Sequence, residues 1–369
     1  MTSNGPPRRR PLHRVGQLLE ARFRWRHPLY LIHSLTARCN ATCAFCAWNF
    51  YDSDDELTTP EIKQLYRDAA DAGFIGVSIW GGEPLVHRDV GELCRHAKAL
   101  GLNTHMVTNG ALIERKLDAV MPYLDRLCIS IDHPSDKHDE LRGIDGLYER
   151  ILAATRLVRA RYPKIRIIFV YTFLKGYTEP AALRQMATVS RDLGAVTVFN
   201  AMRTEAASAD SEAIALERFN PSQAEISEAF SVVRDLKARG YPILNSYTHL
   251  DMMRRGLPEY RCHWPKYLLP IEANGDVVDC MHWGTRTVGN VRDKPFSEIL
   301  KSPRLRELAG PVGEACHKCV SLHRVEISEI CEGRMEPLLA WVAGLGGSGW
   351  LPTMADQLSQ TLARRAARR

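Results

Sequence analysis

Residues 39–46 read Cys-Asn-Ala-Thr-Cys-Ala-Phe-Cys and place three cysteines, Cys39, Cys43 and Cys46, on one short loop after the apolar stretch 28–32. Structural zinc sites, and clusters used only for electron transfer, are usually closed by four protein ligands. Three thiolates leave one metal position open, and a site needs such a position if it is to bind a second molecule. A zinc loop completed by His33 or by a more distant residue is the alternative.

The composition is that of a large globular enzyme. A chain of 369 residues with 45% apolar content can bury a full core and carry a second module. Its ten cysteines are clustered, which is typical of metal ligation and not of a secreted disulfide scaffold. We expect neither a signal peptide in the basic, proline-rich N-terminus nor a membrane span. A cytoplasmic protein is therefore expected, where a reducing environment suits oxygen-sensitive clusters.

The net charge of +6 is mild, and much of it lies at the two ends of the chain. Residues 8–10 are all arginine, and so are residues 364–365 and 368–369. Such short basic ends are typical of solvated tails and do not form the basic stripe of a nucleic-acid-binding surface. We expect no nucleic-acid partner.

Strand-like and helix-like segments alternate between residues 29 and 200. We expect strands at residues 30–35, 75–80, 103–107, 127–131, 165–171 and 195–199, and helices at 59–72, 89–100, 113–121, 147–161, 179–193 and, further on, 223–238. Six βα units in a row predict a parallel sheet covered by helices. Periodicity alone does not separate a barrel from an open doubly wound sheet.

Polar motifs follow the carboxyl ends of these strands, where the active sites of parallel α/β folds gather. Residues 81–84, Gly-Gly-Glu-Pro, follow the second strand; the glycines allow close backbone approach, and the carboxylate can pair with an ammonium group. A Thr-Asn-Gly turn at 108–110 follows the third strand, with an ordinary loop as the alternative. Ser130 and Asp132 end the fourth strand on one face, and Asn200 follows the sixth.

These motifs resemble those of the radical S-adenosylmethionine (radical SAM) superfamily. The resemblance implies a partial (β/α)6 barrel in which Cys39, Cys43 and Cys46 hold a 4Fe–4S cluster. In that family the open iron chelates the amino and carboxylate groups of S-adenosylmethionine, and an electron from the cluster cleaves the molecule to a 5′-deoxyadenosyl radical. The chemistry belongs to the cofactors, and the protein supplies position and protection.

The resemblance also assigns side chains to S-adenosylmethionine. Phe45 matches an aromatic position placed against the adenine, and Glu83 with the neighbouring backbone would hold the amino group. Arg142 suits the carboxylate through a forked contact, with a surface helix cap as the alternative. The predicted cofactor-binding residues are Phe45, Gly81, Gly82, Glu83, Pro84, Thr108, Asn109, Ser130, Asp132, Arg142 and Asn200.

A second group of cysteines lies nearer the C-terminus. Cys262, a Gly-x4-Cys segment ending at Cys280, a Gly-Asn-Val segment at 289–291 and a Cys-x2-Cys pair at 316–319 resemble the SPASM domain of radical SAM enzymes, or its shortened twitch form. The full form adds Cys-x5-Cys after this pair, and Val325 occupies that position here. We expect one auxiliary 4Fe–4S cluster, closed by four thiolates and suited to electron transfer, with a zinc ribbon as the alternative. Its predicted ligands are Cys262, Cys280, Cys316 and Cys319.

Three cysteines remain. Cys94 in a helix and Cys128 in a strand are expected to be small buried apolar residues. Cys331 could replace a ligand, join a second cluster or bind none. No side chain is assigned a catalytic role.

The motifs divide the chain into four parts. We expect a basic extension at 1–27, the radical SAM barrel at 28–240, the auxiliary-cluster domain at 241–335 and a tail at 336–369. The tail is apolar around Trp341 and basic at its end. It is predicted either to lie on a membrane surface or to cover the barrel.

Three classes of function are compatible with these motifs. The first is an enzyme that oxidises a small molecule, in which the radical takes a hydrogen atom and the auxiliary cluster accepts the remaining electron. The second modifies a ribosomally made peptide or a lipid by forming carbon–carbon or thioether bonds. The third is an iron–sulfur electron carrier, which would need neither an open iron nor the 81–84 motif. A flavodoxin- or ferredoxin-type protein is the expected electron donor.

Overall fold

The computed structural model describes residues 28–46, 54–202, 216–256, 260–278, 280, 287–308, 319–345 and 358–359. Within these residues, strands β1 to β9 form one sheet in the order β6-β5-β4-β3-β2-β1-β7-β8-β9. Neighbouring strands from β1 to β6 are parallel and follow one another in sequence order. The predicted series of six βα units is confirmed.

Each predicted strand is present within two residues of its expected bounds. The strands are β1 (Tyr30–Thr36), β2 (Gly76–Gly81), β3 (Asn103–Thr108), β4 (Arg126–Ser130), β5 (Arg166–Phe173), β6 (Val196–Ala201), β7 (Leu268–Ile271), β8 (Asp276–Val278) and β9 (Thr287–Asn290). The helices are α1 (Thr59–Ala72), α2 (Val90–Ala99), α3 (Leu117–Val120), α4 (Lys137–Arg142), α5 (Leu147–Arg161), α6 (Pro180–Asp192), α7 (Gln223–Ala238), α8 (Tyr247–Arg255), α9 (Phe296–Lys301), α10 (Pro303–Leu308), α11 (Leu322–Cys331) and α12 (Met335–Leu345).

The helices predicted at 59–72, 147–161 and 223–238 have the expected bounds, but the helix predicted at 113–121 is wrong over most of its length. In its place α3 spans four residues and is followed by a 3-10 turn, Met121–Tyr123. Pro122 has no backbone N–H and cannot continue an α-helical ladder. The apolar residues of this segment are still buried, so the pattern indicated burial correctly but not the type of structure.

Alternate residues of each strand divide between the two faces of the sheet. Leu31 and Leu35 of β1 pack into the main core with residues of α1 and α2. Tyr30 and Ile32 point the other way, towards a smaller apolar cluster formed by the C-terminal part of the chain. We call this second side the inner face of the sheet.

The C-terminal part of the chain extends the sheet and covers its inner face. Strand β7 pairs parallel with β1, and β8 and β9 continue from it as an antiparallel ribbon. Helix α11 lies against the inner face, where Leu322 packs with Ile168 and Val198. The boundary expected between residues 240 and 241 stays a prediction.

The first turn of α12 is attached to the protein. The Glu336 carboxylate accepts hydrogen bonds from the backbone N–H groups of Tyr247 (3.0 Å) and Thr248 (2.8 Å) at the start of α8. Its Oε1 also accepts one from the Ser359 hydroxyl over 2.6 Å. Most of the tail beyond residue 345 lies outside the described residues, so its placement on a membrane surface or over the barrel stays a prediction. None of the described helices is both long and apolar enough to cross a membrane.

Candidate functional site

The backbone of the 81–84 motif holds the strand end that leads into the cysteine loop. The Gly82 N–H donates to the Thr36 carbonyl over 2.8 Å, and the Glu83 N–H donates to the Arg38 carbonyl over 2.9 Å. A Cβ added to Gly82 would lie 2.3 Å from the Arg38 oxygen, far inside van der Waals contact. Glycine is therefore required for the motif to approach the residues just before Cys39.

The Glu83 carboxylate is fully buried and connects the ends of β2 and β3. It accepts hydrogen bonds from the Leu85 N–H (2.9 Å), the Thr108 hydroxyl (2.8 Å) and the Asn109 N–H (2.7 Å). Burial raises the pKa of Glu83 above its ordinary value, and these three donors oppose the rise. The carboxylate thus fixes the turn after β3. Its contact with the amino group of S-adenosylmethionine stays a prediction.

Asn109 extends this connection to the cysteines. Its side-chain amide donates to the Asn40 side-chain oxygen over 2.9 Å and lies 3.9 Å from the Cys39 sulfur. The Ala41 backbone N–H donates to the same sulfur over 3.4 Å. Donors at a cysteine sulfur stabilise the thiolate that a metal requires. These contacts favour a role for the Thr-Asn-Gly turn in the site over an ordinary loop.

Arg142, the last residue of α4, lies inside the site. Its Nε donates to the Asp132 carboxylate over 2.7 Å, and its guanidinium carbon lies 5.5 Å from the centre of the Phe45 ring. Its carbonyl accepts from the Thr42 N–H over 3.2 Å, which ties α4 to the cysteine loop. The side chain is only 12% exposed, so the alternative of a surface helix cap is wrong.

Arg142 also supplies positive charge to two of the cysteines. Burial works to lower its pKa, but Asp132 and the sulfurs of Cys43 and Cys46 raise it above the usual range. Burial raises the pKa of Cys43 to about 11, and Arg142 opposes that rise. Because clusters bind thiolates, a fixed positive charge beside buried thiols lowers the cost of deprotonating them.

The residues present fit a 4Fe–4S cluster with an attached ligand. In the described ranges no three His, Cys, Asp or Glu side chains converge closely enough to hold a single metal ion. A cubane offers its irons at separate corners and does not require such convergence. The Oδ1 atom of Asp132 is buried and has no hydrogen-bond partner among the described residues, so it can accept from a bound ligand.

The other predicted S-adenosylmethionine contacts lie along the carboxyl ends of the strands. Gly81 ends β2 with a φ of 123°, Pro84 begins a buried 3-10 turn, and Ser130 is the half-buried last residue of β4. Asn200 in β6 accepts a hydrogen bond from the Leu322 N–H of α11 over 3.2 Å. This contact connects Asn200 to the auxiliary domain, and its contact with S-adenosylmethionine stays a prediction.

Glu56 is a residue of the site that the sequence did not indicate. Its Oε1 accepts hydrogen bonds from the Thr36 hydroxyl (2.6 Å) and the Ala37 N–H (2.7 Å), and its Oε2 pairs with the Arg38 guanidinium over 3.0 Å. It therefore holds the same strand end that the 81–84 motif holds. The acidic stretch 52–56 looks like a solvated loop in the sequence, so no local pattern identifies this contact.

Arg292, just after β9, connects the auxiliary domain to the segment that contains Glu56. Its guanidinium donates to the Glu61 carboxylate (2.8 Å), the Asp55 carboxylate (2.7 Å) and the Glu56 carbonyl (3.0 Å). The hydrogen bond from Arg292 lowers the pKa of Glu61 to about 2. The partners are more than 230 residues apart, which is why sequence reasoning missed them.

Three of the four predicted auxiliary ligands lie in the described residues, and Cys316 lies outside them. Cys262 is buried and packs with Trp264 against the inner face of β1. The Cys319 carbonyl accepts from the Tyr260 hydroxyl over 3.0 Å, so the segments that contain Cys262 and Cys319 are joined near their cysteines.

The remaining cysteines lie elsewhere. Cys94 is fully buried in α2, as predicted, and burial raises its pKa to about 12. Cys128 is half-buried on the inner face of β4, and burial raises its pKa to about 11. Cys331 is the last residue of α11, and its relation to a cluster stays open to experiment.

Family models match both halves of this arrangement. Residues 33–184 match the Radical SAM superfamily, and residues 262–320 match the SPASM model, described as an iron-sulfur cluster-binding domain. The chain belongs to the radical SAM superfamily. Its C-terminal SPASM domain and its partial (β/α)6 barrel are confirmed, and its cofactors are a 4Fe–4S cluster, S-adenosylmethionine and an auxiliary iron–sulfur cluster. The individual ligands and contacts remain predictions.

The radical SAM chain is similar to several characterised proteins. It is 30% identical to the AdoMet-dependent heme synthase of Methanosarcina barkeri over 83% of this chain and 90% of that protein. It is 26% identical to the pre-heme d1 synthase of Dinoroseobacter shibae over 79% of this chain and 80% of that protein. The chain is 34% identical to the PqqA peptide cyclase of Rhizobium meliloti over 34% of this chain and 35% of that protein. Streptococcus suis SuiB bound to S-adenosylmethionine has the same fold, with a TM-score of 0.64 at 17% identity, covering 89% of this chain and 77% of SuiB.

Replacing Gly82 by alanine should disrupt the first cluster site. The new methyl group would collide with the Arg38 and Ala37 carbonyl oxygens, so the motif and the strand end would have to move apart. We expect a loss of about 1–3 kcal/mol in unfolding free energy, as for other overpacked sites, with loss of most of the iron at Cys39, Cys43 and Cys46. The loss of iron is measured as iron per chain after anaerobic reconstitution. The effect on the site is measured as the affinity for S-adenosylmethionine in equilibrium dialysis.

Gly289→Ala is the matched control for Gly82→Ala. A Cβ on Gly289 would meet its nearest neighbour, Ile299 Cγ1, at 3.4 Å, which is tight but involves a side chain and no backbone atom. That variant should keep its iron and its affinity for S-adenosylmethionine. Equal iron and affinity in the two variants would show that the close approach at Gly82 is dispensable.

Replacing Arg292 by glutamine should weaken the attachment of the auxiliary domain. Because the pKa of Glu61 is about 2 in the fold and 4.5 ordinarily, its interaction with Arg292 stabilises the fold above about pH 4.5 and is lost as the pH falls towards 2. We expect Arg292→Gln to cost about 1 kcal/mol at pH 7, since these ion pairs are partly exposed.

Urea unfolding of the wild type and the variant at pH 7 and pH 3.5 measures this difference, which should shrink at the lower pH. Arg191→Gln, which removes an exposed pair with Asp192, is the control and should have almost no effect. A difference that stays constant or grows on acidification would refute the contribution of Glu61.

Proposed function

We propose that this radical SAM enzyme carries out the net oxidation of a substrate C–H bond, with the auxiliary cluster as electron acceptor. When bound, the first cluster and S-adenosylmethionine would supply the 5′-deoxyadenosyl radical, which would take one hydrogen atom from the substrate. The substrate radical would then lose one electron to the auxiliary cluster and a proton from the neighbouring atom, which leaves a closed-shell product oxidised by two electrons. The thiolates of Cys262, Cys280, Cys316 and Cys319 would close the auxiliary cluster. Such a cluster is suited to accept that electron and not to chelate the substrate.

The position of Cys262 carries this proposal. Cys262 belongs to the apolar cluster that contacts Tyr30 and Ile32 on the inner face of β1, and β1 leads directly into Cys39. Ile32 and Cys39 are seven residues apart, so at roughly 3.3 Å per residue no more than about 23 Å of chain separates them. Cys262 therefore packs against the strand that leads into the first cysteine loop, which supports electron transfer from a substrate bound near that loop to the auxiliary cluster.

The donor of the first electron is proposed to be a flavodoxin- or ferredoxin-type protein, because each cleavage of S-adenosylmethionine consumes one electron at the first cluster. A pure electron carrier would have no use for S-adenosylmethionine. Membership of the radical SAM superfamily therefore supports the two enzyme hypotheses over the carrier.

A tetrapyrrole is the substrate class that we infer for the oxidation. The relatives that align over most of this chain and most of their own length are named for the synthesis of heme and pre-heme d1. The inner face also offers Trp80, half-buried at the carboxyl end of β2. An indole ring there provides a flat apolar surface on which a conjugated macrocycle can stack.

Peptide modification is the second candidate function. It is supported by the likeness to the PqqA peptide cyclase, which spans about a third of this chain. The likeness to SuiB concerns the fold alone. Modification of a lipid depends on the apolar and basic tail for its support, and most of that tail lies outside the described residues.

The substrate inference predicts binding of an iron tetrapyrrole. Anaerobic enzyme should shift the Soret absorption of a carboxylate-bearing iron porphyrin, and Trp80→Leu should weaken that binding by about tenfold, the equivalent of about 1.4 kcal/mol. The bound compound should also raise 5′-deoxyadenosine formation above the substrate-free rate. Stimulation by a precursor peptide, with none by any tetrapyrrole, would instead support the second candidate function.

The proposed reaction predicts that Cys316 and Cys319 are needed after hydrogen abstraction and not before it. Replacing both by alanine should leave 5′-deoxyadenosine formation near the wild-type rate while the oxidised product falls at least tenfold. A substrate deuterated at the reacting carbon, followed by mass spectrometry, reports both events in one sample. Label should still enter 5′-deoxyadenosine in the variant.

Cys43→Ala is the control, because it removes the first cluster and should abolish both products. Iron analysis should give about eight irons in the wild type and about four when either cluster is removed. About twelve irons in the wild type would place Cys331 in a third cluster. Full product formation without the auxiliary cluster would limit that domain to a structural role.

A further inference from the structure

Arg324 is buried beside the auxiliary cysteines. It is the third residue of α11, is 8% exposed, and its Nη1 donates to the Cys319 sulfur over 3.4 Å. Its guanidinium carbon lies 4.9 Å from the centre of the Trp264 ring, two residues after Cys262. The arginine therefore contacts one predicted ligand, Cys319, directly, and it also contacts the aromatic ring of Trp264, which lies close in sequence to a second predicted ligand, Cys262.

Among the described residues, the auxiliary cysteines make the largest charge contributions at Arg324. Burial works to lower its pKa, but Cys280, Cys319 and the hydrogen bond to Cys319 raise it above the usual range, with a further contribution from Tyr260. Arg142 at the first cluster differs, because the Asp132 carboxylate makes the largest contribution to raising its pKa. The Arg324 guanidinium thus donates to the sulfur of an auxiliary ligand, whereas the Arg142 guanidinium donates to an aspartate.

We propose that Arg324 sets the reduction potential of the auxiliary cluster by holding a positive charge and an N–H···S hydrogen bond at Cys319. Reduction adds one negative charge to the cluster and its ligands. A fixed cation and a donor at the sulfur stabilise the reduced form more than the oxidised form, and so raise the potential. Arg324 is a positioning and tuning residue, since it acts through Cys319. The use of this potential to accept a substrate electron rests on the proposed function, but the potential itself does not.

The potential of the auxiliary cluster can be measured alone in a chain that carries alanine at Cys39, Cys43 and Cys46. In that background we compare Arg324 with Arg324→Gln and Arg324→Lys by a redox titration followed by electron paramagnetic resonance. At a fixed solution potential the ratio of reduced to oxidised cluster should fall about tenfold in Arg324→Gln, equivalent to about 59 mV for a one-electron couple. Arg324→Lys keeps the positive charge, so the reduction potential of its auxiliary cluster should lie between those of the Arg324 chain and of Arg324→Gln.

Arg159→Gln is the matched control. It removes an arginine on α5 that hydrogen-bonds to the Leu193 and Ile165 carbonyls, so the potential should not change. An unchanged potential in Arg324→Gln with about four irons retained would overturn the proposal. Loss of iron from both Arg324 variants would also overturn it, because Arg324 would then serve assembly and not tuning. If the potential shifts as expected while product forms without the auxiliary cluster, the proposed reaction fails and the tuning role stands.

Discussion

The contact between the Gly82 backbone and the strand end at residues 36–38 is the constraint on which the site depends. It leaves no room for a side chain, since a Cβ on Gly82 would lie 2.3 Å from one carbonyl oxygen and 2.5 Å from another. The same segment presents Glu83 to the next turn, and that turn presents Asn109 to Cys39. One close approach of two strand ends therefore determines where the first cysteine lies.

Two carboxylates, Glu83 and Glu56, hold this arrangement through hydrogen bonds inside the protein. Glu83 accepts three hydrogen bonds inside the protein, and Glu56 accepts three from residues 36–38. Hydrogen bonds to charged groups each contribute about 1.5–3 kcal/mol, and leaving such a carboxylate without donors costs more. The cysteine loop is thus positioned in part by a network of polar contacts, of which those of Glu83 are fully buried. A loop fixed in this way can keep its shape while one corner of its cluster stays available to S-adenosylmethionine.

Local patterns in the sequence were sufficient to predict most of the strands and long helices of the fold. The strands and the long helices α1, α5 and α7 have strong periodicity and clear ends, and the cysteine spacing with the 81–84 motif identified the family. The helix expected at 113–121 begins only at Leu117, because residues 113–116 form turns, and periodicity alone did not reveal this. The roles of Glu56 and Arg292 were not predicted, for a different reason. Their partners are distant in sequence or are backbone atoms, and no spacing rule reports such contacts.

The two arginines beside the cysteines show how one chain can give similar clusters different tasks. Arg142 divides its charge between Asp132 and the first cysteines, so little net charge is added to a cluster that must be a strong reductant. Arg324 donates directly to a cysteine sulfur, and the added charge favours a reduced cluster. Under the proposed function, a substrate radical would give its electron to the auxiliary cluster, whose reduced form Arg324 stabilises, and not to the first cluster. Asp132 contributes to this difference, because it accepts a hydrogen bond from Arg142 and offsets part of the positive charge at the first cysteines.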